Sequence, residues 1–171
     1  VLKRLEHRGA CGCDSETGDG AGVLLQVPDR LLRECAAETG IELPAAGHYG
    51  VAMTFLPPAP APREWAMRCL EAACARAGLR ALGWRDVPVV IVDPETGQRY
   101  VGTVADGKRP HIAQLFAAPE RELAHTMSEE ELERRLYIAR RSAEHVIAKE
   151  SGDIAYHTYV CSFSSRTIVY K

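Results

Sequence analysis

The segment from Glu6 to Gly22, EHRGACGCDSETGDGAG, holds the residue types that could do chemistry: five glycines, two cysteines and four acids in seventeen positions. A phosphate-binding loop of the Walker type needs Lys and then Ser or Thr after its last glycine, but Gly22 is followed by Val23 and Leu24. The acids of the segment would also repel phosphate. The segment therefore does not predict a nucleoside triphosphate site.

Two other glycine-rich patterns also fail. The glycines between Gly18 and Gly22 have the wrong spacing for a dinucleotide fingerprint, and they precede a predicted strand, whereas that fingerprint follows one. A calcium loop beginning at Asp14 would place Asp19 at its sixth position, where glycine is needed, and Leu25 at its twelfth, where a carboxylate is needed. Neither a dinucleotide site nor a calcium site is predicted.

Cys11 and Cys13, with His7 nearby, raise the hypothesis of a zinc or iron–sulfur site. The other cysteines supply no second pair at ligand spacing, since Cys69 and Cys74 are five residues apart on a predicted helix and do not share a face well. We therefore favour reduced thiols for all six cysteines, as is usual in the cytoplasm, and predict no metal site. A metal-binding domain stays open as the alternative.

Arg8 and Asp19 are the most informative residues of the segment because each is next to glycine, Gly9 in one case and Gly20 in the other. An arginine held by a carboxylate is a preorganised fork of donors, and the glycines let a reactive group approach the backbone closely. Such a pair supports an active site more often than it does the chemistry. The alternatives are an ordinary surface ion pair, worth at most ~1 kcal/mol, or a plain glycine-rich turn.

The bulk composition restricts the class of protein. A length of 171 residues, 46% of them hydrophobic, suits one globular domain over residues 1–171. A formal net charge of -2 gives no field of one sign to attract nucleic acid or an anionic membrane. Apolar runs such as DVPVVIVD are far shorter than the ~20 residues that cross a bilayer. We expect no nucleic-acid partner and no membrane segment.

Periodicity and turn residues predict the elements that must position these side chains. Four helices are predicted. The first ends at Gly9, the second runs from Asp29 as N-cap to Gly40, the third covers 63–78, and the fourth extends from a capping box at Ser128 to about Lys149. A buried strand is predicted over 21–28, and further strands over 48–58 and 111–119. Residues 79–98 are predicted to hold two short extended segments and a Pro-Glu-Thr-Gly turn, and residues 156–171 a hairpin around Ser164–Arg166. This order predicts an α+β domain in which antiparallel strands predominate.

Apolar spacing also predicts which helix faces are buried. The residues expected on buried faces are Leu31, Leu32 and Cys35 in the first full helix, Trp65, Cys69, Ala72, Ala73 and Arg76 in the second, and Leu132, Leu136, Ala139, Ala143, Val146 and Ile147 in the last. The chain begins on a predicted helix end and stops on a predicted strand, so we expect it to be part of a larger protein.

Six ordered blocks of sequence resemble one family. They are LEHRGACGCDSETGDGAG, HYGVAMTFLP, LGWRDVPV, RPHIAQLF, LYIARRSAEHVI and VCSFSSRTIVYK, and they are spread over nearly the whole chain, from Leu5 to Lys171. All six resemble the N-terminal glutamine amidotransferase domain of glutamate synthase large subunits, a class II amidotransferase. The resemblance implies the four-layer αββα sandwich of N-terminal-nucleophile hydrolases, incomplete at both ends.

The resemblance also implies a mechanism. In this family a cysteine at the mature N-terminus attacks the side-chain amide of L-glutamine, its own α-amino group serves as the base, and ammonia leaves through a tunnel to a synthase domain. There the ammonia combines with 2-oxoglutarate, and FMN and an iron–sulfur cluster deliver electrons. The implied partners are therefore L-glutamine, the remainder of the large subunit and a small electron-donating subunit, whereas this chain itself is expected to hold no cofactor.

Residue by residue, His7–Gly9 matches the family segment that lines the nucleophile's pocket, and Asp19–Gly22 matches the segment that follows it after an insertion. The resemblance thus implies active-site support by Arg8, Gly9, Asp19 and Gly20. It implies a framework role for Trp84, Arg85 and the SSRTIVYK strand.

Two departures from the family pattern bear on activity. The chain begins with Val1, so the nucleophilic cysteine is expected upstream of it, and neither Cys11 nor Cys13 can replace a residue that must carry its own free α-amino group. The family segment with the glutamine-binding arginine and the Asn-Gly oxyanion hole is expected beyond Lys171. No catalytic residue is therefore predicted within the chain, and the chain alone is expected to be inactive. A noncatalytic amidotransferase-like module that binds a partner or a small amide is the alternative.

Overall fold

The computed structural model describes residues 22–150 and 153–170. The helices and strands of these residues are β1 (Val23–Gln26), α1 (Asp29–Glu38), β2 (Gly50–Leu56), α2 (Pro60–Arg76), β3 (Leu79–Asp86), α3 (Thr103–Gly107), β4 (His111–Pro119), α4 (Glu129–Ile147), α5 (Asp153–His157), β5 (Tyr159–Ser164) and β6 (Thr167–Tyr170). Every strand pairing is antiparallel. The α+β class predicted from the sequence is confirmed, and the predicted helix end at Gly9 lies outside the described residues.

The strands form two sheets. Four of them pair in the order β3-β4-β2-β5, and the other two, β1 and β6, pair with each other so that Val23 faces Tyr170. The apolar run over 21–28 does form a strand, but the prediction that it is buried is wrong: all four residues of β1 are exposed, Leu24 at 65%. A short apolar run indicates a strand, but it cannot show what covers that strand.

The predicted hairpin over 156–171 is wrong in its pairing, although both strands exist. β5 pairs with β2 in the four-stranded sheet, whereas β6 pairs with β1 in the other sheet. The reason lies in the connection, where Ser164 Oγ accepts hydrogen bonds from the backbone N–H groups of Arg166 (3.0 Å) and Thr167 (3.2 Å). These bonds to a side chain replace ladder bonds, and the chain passes from one sheet to the other.

Helices α2 and α4 cover one face of the four-stranded sheet. Their buried residues pack with alternate residues of the strands, and this cluster includes Ala52, Leu70, Ala73, Leu79, Leu115, Ala117, Leu132, Leu136, Val160 and Phe163. The predicted N-cap of α4 is confirmed, since Ser128 Oγ accepts from the N–H of Glu131 at 3.2 Å. Of the six side chains predicted to be buried on α4, Val146 is exposed, because it lies at the edge of the stripe that meets the sheet.

The opposite face of the four-stranded sheet packs against α1 and β6. Val51, Met53 and Phe116 belong to one cluster with Leu32 of α1 and Ile168 of β6. The described residues therefore form a layer of helices, a four-stranded sheet, and a further layer made of the β1-β6 pair and α1.

The predicted ends and faces of the first two helices need correction. The N-cap of α1 is Pro28 rather than Asp29, and Asp29 lies in the first turn, where its carboxylate is occupied by other side chains. The buried stripe of α1 consists of Leu32 and Ala36, four residues apart, so Leu31 is exposed. In α2 the buried residues are Ala66, Leu70, Ala73 and Cys74; Ala72 and Arg76 face solvent, and the helix begins inside the proline-rich stretch at Pro60.

The region between 79 and 110 contains one long strand, β3, rather than only two short extended segments. The Pro-Glu-Thr-Gly turn is present: Asp93 Oδ1 accepts from the N–H groups of Glu95 (2.8 Å) and Thr96 (2.9 Å), and Gly97 has a φ of 71°. These bonds and one from Tyr100 lower the pKa of Asp93 to about 2, the Tyr100 bond contributing most. The short helices α3 and α5 were not predicted, because five-residue helices show little periodicity.

Candidate functional site

The four residues predicted as active-site support, Arg8, Gly9, Asp19 and Gly20, lie outside the described residues, as do Cys11 and Cys13. The chain passes from their segment directly into β1. The described ladder nearest to them in sequence therefore begins with the pair of Val23 and Tyr170. This end of the β1-β6 pair is therefore where the described fold adjoins the predicted site in sequence.

A buried polar network reaches this end of the sheet pair. Arg85 Nη1 of β3 donates to Gln114 Oε1 of β4 at 3.1 Å, and Gln114 Nε2 donates to Tyr170 Oη of β6 at 3.3 Å. Gln114 is completely buried, so its amide needs both bonds to offset the loss of water. The network joins the two sheets through three side chains and fixes the tyrosine opposite Val23.

A second polar cluster fixes the turn in which the chain passes from β5 of one sheet to β6 of the other. The Glu133 carboxylate of α4 accepts from Ser164 Oγ at 2.9 Å, from Ser165 Oγ at 2.6 Å and from the Ser165 N–H. The next residue, Arg166, donates to Glu130 Oε1 at 3.2 Å. Hydrogen bonds to a charged acceptor are stronger than neutral ones, so α4 holds the turn in one conformation.

An open cleft of about 420 Å³ lies beside this turn. Asp29, Tyr49 and Arg166 are among its lining residues. Tyr49 Oη donates to Asp29 Oδ1 at 3.0 Å, and Arg33 Nη2 donates to the same oxygen at 2.9 Å. Burial, followed by the bond to Asp29, raises the pKa of Tyr49 well above its ordinary value, so the phenol remains a donor at neutral pH.

Four cysteines lie within the described residues, Cys35, Cys69, Cys74 and Cys161, and all four are free thiols. Burial and, secondarily, Glu71 raise the pKa of Cys74 to about 12, and burial and then Glu150 raise that of Cys69. A raised pKa lowers the fraction of thiolate, which is the nucleophilic form. Cys69 and Cys74 are therefore not activated thiols.

Within 22–150 and 153–170, no group of three or more His, Cys, Asp or Glu side chains is arranged to hold a metal ion. None of the helices in this part of the chain is long and apolar enough to cross a membrane.

Gln114, Glu133 and Tyr49 are not among the residues that the sequence predicts to be functional. Gln114 carries a signal that could have been used, because it is a lone polar residue in the otherwise apolar strand HIAQLFAAP. Glu133 carries none, because it is one of several acids on the charged part of a helix. Of the two residues expected in the framework, Arg85 anchors the buried network, and Trp84 Nε1 donates to Glu71 of α2 at 2.7 Å.

Residues 1–171 match the family model of the class-II glutamine amidotransferases, so the chain belongs to that family. The match confirms the resemblance carried by the six sequence blocks. It covers the residues outside the described ranges as well as those within them.

Among the relatives of this chain are glutamate synthases. The chain is 40% identical over 172 residues to ferredoxin-dependent glutamate synthase 2 of Synechocystis, 38% identical over 172 residues to the glutamate synthase [NADPH] large chain of Bacillus subtilis, and 36% identical over 171 residues to ferredoxin-dependent glutamate synthase 1, chloroplastic/mitochondrial, of Arabidopsis thaliana. Each alignment covers 100% of this chain and 10% of the relative. The chain thus spans about one-tenth of the length of these relatives.

Proposed function

We propose that the chain is part of the glutaminase domain of a glutamate synthase, which hydrolyses L-glutamine to glutamate and ammonia. The observation that carries this proposal is the match of all 171 residues to the class-II glutamine amidotransferases, together with relatives whose names are glutamate synthases.

We further infer that the β1-β6 pair belongs to the second sheet of a four-layer αββα sandwich of the N-terminal-nucleophile type. Three features support this architecture: the pair stacks on the four-stranded sheet through Ile168, the Arg85–Gln114–Tyr170 network joins the sheets, and β1 exposes apolar side chains such as Leu24. In such a sandwich, further layers would cover these exposed side chains.

The proposed chemistry needs a cysteine that precedes Val1. Its sulfur would attack the amide carbon of glutamine, with the proton passing through the α-amino group of that cysteine to the departing ammonia, and water would then cleave the thioester to release glutamate. Arg8, Gly9, Asp19 and Gly20 would line and support the pocket of this cysteine. Their role stays a proposal, which the fold supports by leading from their segment into β1, opposite Tyr170.

The rest of the parent enzyme is proposed from the same family. Its synthase domain would use the ammonia to aminate 2-oxoglutarate, with FMN and an iron–sulfur cluster supplying reducing equivalents from a small subunit or another donor. The described residues do not fit an iron–sulfur cluster, because within them no three thiols are brought together. We propose that other regions of the parent hold these groups, as the family resemblance implies, and we propose a cytoplasmic parent on the basis of its expected reduced thiols.

The test is glutamate release from L-glutamine, measured for the 171-residue chain and for the protein read from the full open reading frame. We expect activity only in the longer protein, and only when its mature N-terminus is cysteine. Arg8→Ala and Asp19→Asn should each lower its kcat/KM at least tenfold, whereas Cys11→Ser should leave it within twofold.

The noncatalytic alternative makes a different prediction. A longer protein that binds glutamine but releases no glutamate, or one without an N-terminal cysteine, would favour a binding module. Activity of the 171-residue chain that is lost on alkylation of Cys11 or Cys13 would contradict the proposed nucleophile.

A further inference from the structure

A small pocket separate from the polar network lies at the other end of β3. It has a volume of about 250 Å³ and is formed where the loop after α1, the start of β3, the end of β4 and the turn before α4 meet. Its lining residues are Pro44, Ala45, His48, Arg80, Ala118, Pro119, Ala124 and His125. Arg80 and Arg85 are five residues apart on β3, or roughly 16 Å at the rise of a strand, so the two places are distinct.

The polar groups of this pocket are all nitrogen bases or cations. Arg80 contributes a guanidinium, and the exposed residues His48 and His125 contribute imidazoles, whereas none of the lining residues is an acid. The remaining walls are alanine and proline. The pocket therefore combines an apolar body with positive charge that no lining carboxylate neutralises.

The Arg80 side chain provides an independent sign of an absent partner. Its Nε is buried and has no hydrogen-bond partner among the described residues. A buried donor without an acceptor costs roughly 1–3 kcal/mol, and most such donors in proteins are satisfied. The neighbouring strand gives it no acceptor side chain, since the residue paired with Arg80 across the ladder is Ala118.

We propose that this pocket is a binding site for a small aliphatic carboxylate. The planar guanidinium of Arg80 matches the two oxygens of a carboxylate, the imidazoles of His48 and His125 offer further N–H donors, and the alanine and proline walls suit a short hydrocarbon chain. The volume accommodates an acid of a few carbons but not a nucleotide. This binding would be separate from the proposed glutaminase function, and the proposal does not depend on that function.

The test is a titration of the full chain with butyrate and glutarate as carboxylate probes and with inorganic phosphate as a second oxyanion. Binding is followed by NMR through the imidazole signals of His48 and His125 and the Nε–H signal of Arg80. We expect saturable shifts of these signals with either carboxylate at millimolar concentration, and at least tenfold weaker binding of phosphate, which cannot use the apolar walls.

Variants separate a specific site from general attraction of anions. Arg80→Met keeps the aliphatic stem and removes the donors, so it should weaken carboxylate binding at least tenfold, and Arg80→Lys should weaken it less. Arg121→Met is the matched control, because Arg121 is exposed on the adjacent turn and does not line the pocket. This control should bind within twofold of the parent chain, and circular dichroism should show that all three variants are folded.

Three results would overturn the proposal. The first is the absence of saturable shifts at carboxylate concentrations up to 50-fold above the dissociation constant of ~1 mM expected for a weak site. The second is an equal loss of carboxylate affinity in Arg80→Met and Arg121→Met, and the third is phosphate binding as tight as that of the carboxylates. Failure of this test would leave the glutaminase proposal untouched, because glutamate release is measured separately.

Discussion

At the scale of single residues, two polar side chains, the half-buried Glu133 and the buried Gln114, do more than their sequence context suggests. Glu133 holds the turn that passes from one sheet to the other, and Gln114 links Arg85 of one sheet to Tyr170 of the other. Both side chains have hydrogen-bond partners from other elements of the fold. Removing either side chain should therefore lower the free energy of unfolding more than removing an exposed polar side chain does.

Glu133→Ala should lower the free energy of unfolding by about 2–3 kcal/mol, because Ser164 and Ser165 would lose their charged acceptor. The matched control is Glu34→Ala, which removes an exposed carboxylate paired with Arg30 and should cost less than about 1 kcal/mol. Urea unfolding curves measure both. Equal losses in the two variants would contradict the structural role of Glu133.

Cys74 should make stability fall at alkaline pH. Its pKa is about 12 in the folded protein, because burial disfavours the thiolate, and lies near 8.5 in an unfolded chain. The folded state thus holds this proton more tightly, so the contribution of Cys74 is complete below about pH 8.5 and declines as the pH rises toward 12. Cys74→Ala should flatten the decline between pH 9 and 11, by up to about 1.4 kcal/mol per pH unit. Parallel curves for the two proteins would contradict this assignment.

At the scale of elements, α4 packs closely against β2 at Gly50. Gly50 lies under Leu136, and a Cβ added there would be 2.5 Å from Leu136 Cδ1 and 2.6 Å from Cδ2. No side chain can occupy that space unless the helix or the leucine moves. The glycine is therefore required by packing rather than by its backbone conformation, since its φ is not positive.

Gly50→Ala should destabilise the chain by about 1–3 kcal/mol through overpacking. Gly107→Ala is the control, because no atom lies within 4 Å of its added Cβ, and its effect should stay within about 0.5 kcal/mol. In the double variant with Leu136→Ala, the additional cost of Gly50→Ala should nearly vanish. A cost that is the same with and without Leu136 would show that this contact is not the cause.

At the scale of the whole molecule, stability should differ between the two sheets. β2 pairs with β4 and β5, and its residues lie between helices on one side and the second layer on the other. β1 pairs only with β6 among the described strands, and all its residues are exposed. Local opening of β1 therefore needs little loss of buried apolar area.

Amide hydrogen exchange in the 171-residue chain should show this difference. The amides of Val51–Phe55 should exchange at least about 100-fold more slowly than those of Val23–Gln26, since they open only when the core opens. Mass spectrometry of peptic fragments gives the two rates. Equal protection would mean that the exposed strand is stabilised by contacts outside the described residues.

Much of the fold follows from local sequence. The strand at 111–119 was predicted with its observed ends, and the N-cap of α4 was predicted at Ser128, because a proline, an apolar run and a capping serine act on their immediate neighbours. The predictions fail where the burial or pairing of a residue depends on a partner that is distant in sequence. Leu31 and Val146 have the apolar character of buried residues, but the surfaces that could cover them do not face them.

The candidate site shows the same division. The six sequence blocks sufficed for the family, and the family model confirms it, because those blocks are read residue by residue without any geometry. The active-site support proposed for Arg8 and Asp19 stays a prediction. Gln114 and Tyr170 are 56 residues apart and become neighbours only when two sheets stack, so their bond could not be predicted from either sequence position.

The sequence alone determined the class of the domain, the family and most helices and strands, because each of these depends on residue type and short-range spacing. Only the tertiary structure decided that β5 and β6 belong to different sheets, that Glu133 holds the passage between them, and that Arg80 lies with two histidines in a pocket without acids. The physical reason is that strand pairing and burial depend on which surfaces meet in space, and period-two patterns of equal quality can pair with more than one edge.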